Sequence, residues 1–271
     1  MNTPVPAPVA VRLAGKVAIV SGSTQGLGAD IARGLVAAGA RVMTLGLDAD
    51  AGRSVAESLG TAAHFVETDI TDDAQIDRVI TATLERFGRI DYLVNNACSY
   101  ADAGLASTRE QWTRLLDVNL VSAAIFAQKA APHIAHGGVV INMGSTGGKF
   151  GAAGRALYPA SKAALQQFTR NLAVALAPDG IRAVTVSPAW TWSPSLEELA
   201  EGSLKTADRV GHAFHPLGRV GRGYEIAQVM AFLCSAEASW ITGVDIPVDG
   251  GFSILGPDQG ISPRDWFSRL G

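Results

Sequence analysis

The chain has 271 residues, 48% hydrophobic and 17% charged, a balance that suits one large α/β domain with a sizeable core and excludes a disordered chain. A net charge of −3 without any basic cluster argues against nucleic acid as a partner. The two cysteines, Cys98 and Cys234, are far apart and lack metal-ligand spacing, so neither a disulfide framework nor a metal site is expected, and a reducing cytoplasm fits.

The opening "MNTPVPAPVAVRL" carries three prolines and no basic region ahead of an apolar one, so residues 1–12 read as a flexible arm and not as a signal peptide. From Lys16 onward, short β-rich apolar runs alternate with longer helical patterns, as in repeated βαβ units around a parallel sheet. The first strand is "KVAIV" (16–20). A glycine-rich turn, a helix near 27–38, the strand "ARVMTL", a helix near 50–59 and the strand "AAHFVETD" follow. Helices near 73–87, 109–132 and 158–177 then lead to "IDYLVNNA", "GGVVINMGS" and "IRAVTVSPA", and a helix near 224–235 leads to "GVDIPVDGG". Seven strands result, without clean polar alternation, as parallel strands buried on both faces should be.

Apolar stretches are broken, for example by Arg41 and by Gln128 and Lys129, before the roughly 18 residues a membrane span needs, so no membrane partner is expected. Residues 190–222 interrupt the rhythm at the carboxyl end of a strand, where ligands bind in such sheets, and read as a substrate-loop region. Residues 252–271 form a polar C-terminal extension with one aromatic pair, Trp266 and Phe267. Docking on a neighbouring subunit and a plain surface extension both remain open for it.

Two short stretches carry chemistry. In "SGSTQGLG" (21–28), Gly22, Gly26 and Gly28 allow a tight backbone turn between the first strand and first helix, where N–H groups and the helix dipole meet a pyrophosphate. In "YPASK" (158–162), Tyr158 and Lys162 stand four positions apart on one helical face, and Pro159 is tolerated because it lies in the first turn. Free tyrosine, with a pKa of about 10, is a poor base at neutral pH. An ammonium one turn away is expected to lower that pKa.

With "NNA" at 95–97 between these stretches, the chain resembles the classical short-chain dehydrogenase/reductase family over residues 13–251. The resemblance implies a single-domain Rossmann-type doubly wound α/β fold, with about seven parallel strands and helices on both faces. It also implies a catalytic set of Asn119, Ser145, Tyr158 and Lys162: Tyr158 as acid/base, Ser145 on the reacting oxygen, Lys162 on the nicotinamide ribose, and Asn119 helping to hold a water. Cofactor contacts are implied for Gly22, Ser23, Gln25, Gly26, Leu27 and Gly28 in the turn, and for Asp48, Asp69 and Ile70 toward the adenosine. Asn95, Ala97, Pro188, Thr191 and Ser193 complete that set beside Tyr158 and Lys162, with Ser193 at the position that touches the carboxamide. A homotetramer is implied as well.

At the end of the second strand Gly46 stands where an acid is expected, with Leu47 next and Asp48 two residues late, while Thr24 and Gln25 replace the arginine of phosphate-binding relatives. An added 2′-phosphate would find no cation there, so NAD is favoured over NADP. Cys98 and Ala189 replace family glycines and Val184 a frequent asparagine; Cys98 reads as a small packing residue. The substrate wall is expected from Cys98, Tyr100, Gly147, Lys149, Arg155, Trp190, Trp192, His212 and His215. Two tryptophans favour a flat or apolar substrate surface, and Arg155 is open to two readings, a clamp or a solvated side chain. The expectation is an NAD(H)-dependent oxidoreductase of a small secondary alcohol or ketone, cyclic or polyol-like. The alternatives are an NADPH-dependent 3-oxoacyl-carrier-protein reductase and a non-catalytic dinucleotide-binding sensor.

Overall fold

The computed structural model describes residues 12–270. All but one residue of the expected N-terminal arm lies outside them. Seven parallel strands form one sheet in the order β3-β2-β1-β4-β5-β6-β7: β1 Val17–Ser21, β2 Arg41–Gly46, β3 Ala63–Glu67, β4 Ile90–Asn95, β5 Ile134–Met143, β6 Arg182–Pro188 and β7 Asp245–Val248. The chain winds outward from β1 in one direction and then from β4 in the other, so a crevice opens beyond the carboxyl ends of β1 and β4.

Helices cover both faces: α1 Gly26–Ala37, α2 Ala49–Ser58, α3 Asp73–Phe87, α4 Arg109–Leu116, α5 Ser122–Ala130, α6 Leu157–Leu176, α7 Pro194–Leu199, α8 Leu204–Gly211, α9 Gly223–Cys234 and α10 Pro263–Leu270. Successive residues of β1 feed opposite cores. Ala18 and Val20 pack with Ile31 and Leu35 of α1 and with Ile226 and Met230 of α9. Val17 and Ile19 pack with Ile76 and Val79 of α3, Phe126 of α5 and Leu172 of α6. Burial on both sides is why the central strands β1, β4 and β6 show no polar alternation.

Three segments depart from expectation. The single helix expected over 109–132 is divided by a π turn at Asp117–Val121, where the Ser122 hydroxyl donates to the Asp117 carbonyl at 2.8 Å and competes with the regular ladder. The 190–222 region holds two helices, α7 starting on Pro194 and α8 capped by the Ser203 side chain, which accepts from the Thr206 N–H. The C-terminal extension ends in α10, with the Trp266 indole donating to the Asp258 carbonyl at 2.9 Å. Among the described residues no helix is long and apolar enough to cross a membrane.

Candidate active site

The glycine turn closes because side chains are missing from it. A Cβ on Gly22 would lie 2.7 Å from the Ala97 Cα, and one on Gly28 would lie 2.1 Å from the Gly22 carbonyl oxygen. Gly22 and Gly26 have φ of +61° and +53°, a region that L side chains rarely adopt. Asn96 braces the turn by donating to the Ser21 and Gly22 carbonyls, both at 3.0 Å, and the Ser21 hydroxyl accepts from the N–H of Asn96 and Ala97. The result is a backbone cradle at the start of α1, of the shape and polarity that a pyrophosphate requires. Pro194 covers it, 3.1 Å from where a Gly26 Cβ would stand, so the 189–194 segment, with Thr191 and Ser193, roofs the cradle beyond Pro188.

Not every residue expected at the cofactor offers a free side chain. The Ser23 hydroxyl donates to the Val20 carbonyl and accepts from the Leu45 N–H, stapling β1 to β2. Asn95 is buried and donates to Ala123 and Asn142. Asp48 caps α2 through the Ala51 N–H, and Asp69 closes its own turn through Thr71. Gln25 is exposed at the head of α1, Leu27 packs beside the first core, and Ile70 packs beside the second. Gly46 faces Thr24, whose methyl would stand 2.7 Å from a Cβ there, so Thr24 fills the place of the expected acid. Beside Leu47 and Asp69 runs a groove that also carries Arg109, Glu110, Arg114 and Asp117, mixing both signs of charge.

Ser145, Tyr158 and Lys162 converge on one space. A Cβ on Gly147 would be 3.2 Å from the Ser145 hydroxyl oxygen and 3.6 Å from Tyr158 Cε1, so the bare glycine leaves room between hydroxyl and phenol for a reacting group. Lys162 is only 2% exposed; its ammonium donates to the Met143 carbonyl at 2.7 Å and lies 5.6 Å from the centre of the Tyr158 ring. Burial pushes the Lys162 pKa down. Burial also pushes the Tyr158 phenol up to about 12, a rise that the nearby Cys98 reinforces and that hydrogen bonding with Ser145 and Tyr100 and the charge of Arg155 partly offset. In the protein alone, then, desolvation outweighs the lowering expected from the lysine. Asn119, on the π turn, accepts from the Ser99 N–H at 2.7 Å and donates to the Ser99 carbonyl and the Ser161 hydroxyl. Ser161 in turn donates to the Tyr158 carbonyl at 2.7 Å, so both amide protons of Asn119 tie α6 to the loop after β4.

The expected substrate wall is only partly assembled. Tyr100 stacks on Tyr158, with ring centres 5.0 Å apart and planes 26° from parallel, and Cys98 lies half-buried beside them. Although 54% of Tyr100 is exposed, its hydroxyl end is crowded, and burial raises its pKa together with Cys98 and Tyr158. Trp190 packs on Phe214 at 5.1 Å and edge-on to His215 at 6.1 Å. Phe252, a residue the pattern did not reveal, adjoins His215 at 5.5 Å and Phe150 at 6.0 Å. Trp192, by contrast, packs with Leu196 and Leu204 in the small core of α7 and α8. Lys149 is held by Asp245 at 2.8 Å, while Arg155 and His212 are exposed. Sequence reading also missed Asp102, whose signal is indirect: the residue that caps α6, Ala156, has no capping side chain.

The comparisons with known proteins agree with this geometry. Residues 22–253 match a family described as enoyl-(acyl carrier protein) reductase. L-fucose dehydrogenase of Oryctolagus cuniculus is 35% identical over 265 residues, covering 96% of this chain and 91% of that protein. Sorbitol dehydrogenase of Cereibacter sphaeroides is 35% identical over 256 residues, covering 89% and 98%. The crystal structure of a short-chain dehydrogenase/reductase, glucose/ribitol dehydrogenase, from Brucella melitensis superposes with a TM-score of 0.82 at 32% identity, covering 89% of this chain and 98% of that one. Family and relatives mark an oxidoreductase of alcohols that uses a nicotinamide cofactor. The chain belongs to the classical short-chain dehydrogenase/reductase family.

Proposed function

We propose that the protein is an NAD-dependent dehydrogenase of small secondary alcohols, hydroxyl-rich or cyclic, with Tyr158 as the proton acceptor. The observation that carries this reading is the space at Gly147, flanked by the Ser145 hydroxyl and the Tyr158 ring with the Lys162 ammonium behind. Gly22, Gly26 and Gly28 would hold the pyrophosphate, with Ala97, Lys162, Thr191 and Ser193 along the nicotinamide half. Bound there, the oxidised nicotinamide supplies the hydride acceptor and a positive charge beside the phenol. The Ser145 O–H donates to the substrate oxygen and fixes it against Tyr158 Oη, which takes the hydroxyl proton as the alcohol becomes a carbonyl. Ser145 and Tyr100 already favour the phenolate by hydrogen bonding, and a second positive charge adds to that preference.

Gly46 and Thr24 put no cation at the end of β2, and the groove beside Leu47 carries Asp69, Glu110 and Asp117 along with Arg109 and Arg114, a mixture less favourable to a 2′-phosphate, which supports NAD. Trp190 with Phe214 offers a flat apolar surface, and relatives named for L-fucose and sorbitol support a hydroxyl-bearing substrate. Initial rates with NAD and NADP against L-fucose, sorbitol and cyclohexanol test the reading. NAD is expected to exceed NADP by about tenfold or more in kcat/KM, the scale of one charge-assisted contact. Equal rates refute the cofactor assignment. The name of the matching family favours one second reading, reduction of an acyl-carrier substrate, and turnover of a 3-oxoacyl thioester with no alcohol oxidised would establish it.

A further inference from the structure

Asp102 lies on the loop after β4 and bonds to the start of a helix 54 residues further along. Its Oδ2 accepts from the Ala156 N–H at 2.9 Å and the Tyr158 N–H at 3.0 Å; its Oδ1 accepts from Gly104 at 2.9 Å and again from Ala156 at 3.1 Å. The first turn of α6 needs this help. Its cap, Ala156, has no side chain able to receive an N–H, and Pro159 removes one backbone donor from the turn altogether. A carboxylate from a distant loop therefore does what a local serine or aspartate does at other helix starts.

The loops are in contact at the same point. A Cβ on Gly104 would stand 3.0 Å from the Gly154 carbonyl carbon, and both glycines have positive φ, +59° and +75°. Two residues before Asp102, Tyr100 lies on the ring of Tyr158. The loop after β4 thus grips Tyr158 twice, through its backbone N–H and across its ring. Burial pushes the Asp102 carboxyl upward, but hydrogen bonds from Tyr158, Gly104, Ala156 and Leu157 outweigh that and hold it below the usual carboxylate range. It stays ionised at neutral pH and keeps the grip.

We propose that Asp102 is a positioning residue for proton transfer: by binding the N–H groups of Ala156 and Tyr158, it sets where the phenol stands against Ser145, without itself touching substrate or cofactor. This rests on the reading of Tyr158 as proton acceptor. Displacement of a reacting group by about 1 Å costs on the order of 100-fold in rate. The glycine turn at 21–28 makes no bond to Asp102, and Lys162 is held separately by the Met143 carbonyl, so dinucleotide affinity should change little.

The test compares Asp102→Ala, Asp102→Asn and Tyr158→Phe in the full-length protein, measuring kcat, the Kd for NAD and the thermal midpoint. Asp102→Ala is expected to lower kcat by about 10- to 100-fold with the NAD Kd kept within about twofold. In Asp102→Asn one amide oxygen can still take both helix N–H groups, so kcat falls only about threefold. That split, with rescue by asparagine, is what a mere strut of the fold would not produce. A wild-type kcat in Asp102→Ala overturns the proposal, as does an equal loss of kcat and NAD affinity. If Asp102→Ala does not fold, Asp102→Asn decides: a reduced kcat at unchanged NAD affinity supports the proposal, and an unchanged kcat overturns it. Substantial turnover in Tyr158→Phe instead sinks the underlying reading, whatever Asp102 does.

Discussion

At the dinucleotide end of the cleft the surface is backbone and glycine, whereas at the substrate end it is aromatic side chain. The polar side chains near the glycine turn, Ser21, Ser23, Asn95 and Asn96, are spent on holding strands and turn together. What faces a ligand there is N–H groups, which any pyrophosphate fits. Across the cleft, Tyr100, Phe150, Trp190, Phe214 and Phe252 come from loops after β4, β5, β6 and β7, and each can change without disturbing a strand. Under the proposed assignments the contrast is a division of labour: a backbone end that would hold the cofactor and a side-chain end that would select the substrate.

Substitutions should separate the two ends. The largest effect is expected for Gly28→Ala, whose Cβ would stand 2.1 Å from the Gly22 carbonyl oxygen. Overpacking of this kind costs about 1–3 kcal/mol, so titration with NADH should show binding lost together with a lower thermal midpoint. Unchanged NADH affinity would mean that the turn is not the cradle. Trp190→Ala should act only at the other end, raising the KM of the alcohol by about fivefold, the scale of an aromatic contact worth about 1 kcal/mol, at constant NAD affinity. A fall in NAD affinity instead would erase the division. Smaller still, Thr24→Arg places a cation next to Gly46 and should raise kcat/KM with NADP several-fold while leaving that with NAD nearly unchanged.

A pH experiment sharpens the junction between the ends. Free tyrosine titrates at about 10, and burial raises Tyr158 to about 12 in the folded protein. Its contribution to stability is therefore fully present below the unfolded value and is lost as the pH climbs through the folded one. Absorbance titration should find a phenol near the upper value that disappears in Tyr158→Phe, and NAD should move it downward. A titration indifferent to NAD would remove the nicotinamide charge from the account.

Much of this was legible in the sequence. Continuous apolar runs revealed the strands, and glycine spacing revealed the turn, because both leave direct marks on composition. Gly46 pointed away from an acidic ribose contact, and the structure explains it by the packing of Thr24. Other features left weaker marks. The π turn depends on one serine hydroxyl reaching back five residues, and α7 and α8 are short helices whose start signals, Pro194 and Ser203, lie within a polar stretch. Nor could spacing show that Trp192 is consumed by a small core of its own or that Lys149 is paired with Asp245, since both partners arise from tertiary contact. The Asp102 bond to α6 is of the same kind, joining residues 56 positions apart.

The most direct test is the single-turnover rate of NADH formation in Tyr158→Phe with saturating alcohol. Loss of a positioned acid/base group costs roughly 10²- to 10⁴-fold, and a fall of that size with NAD affinity intact is the predicted result. A rate within tenfold of the wild type would contradict the assignment of the proton to Tyr158.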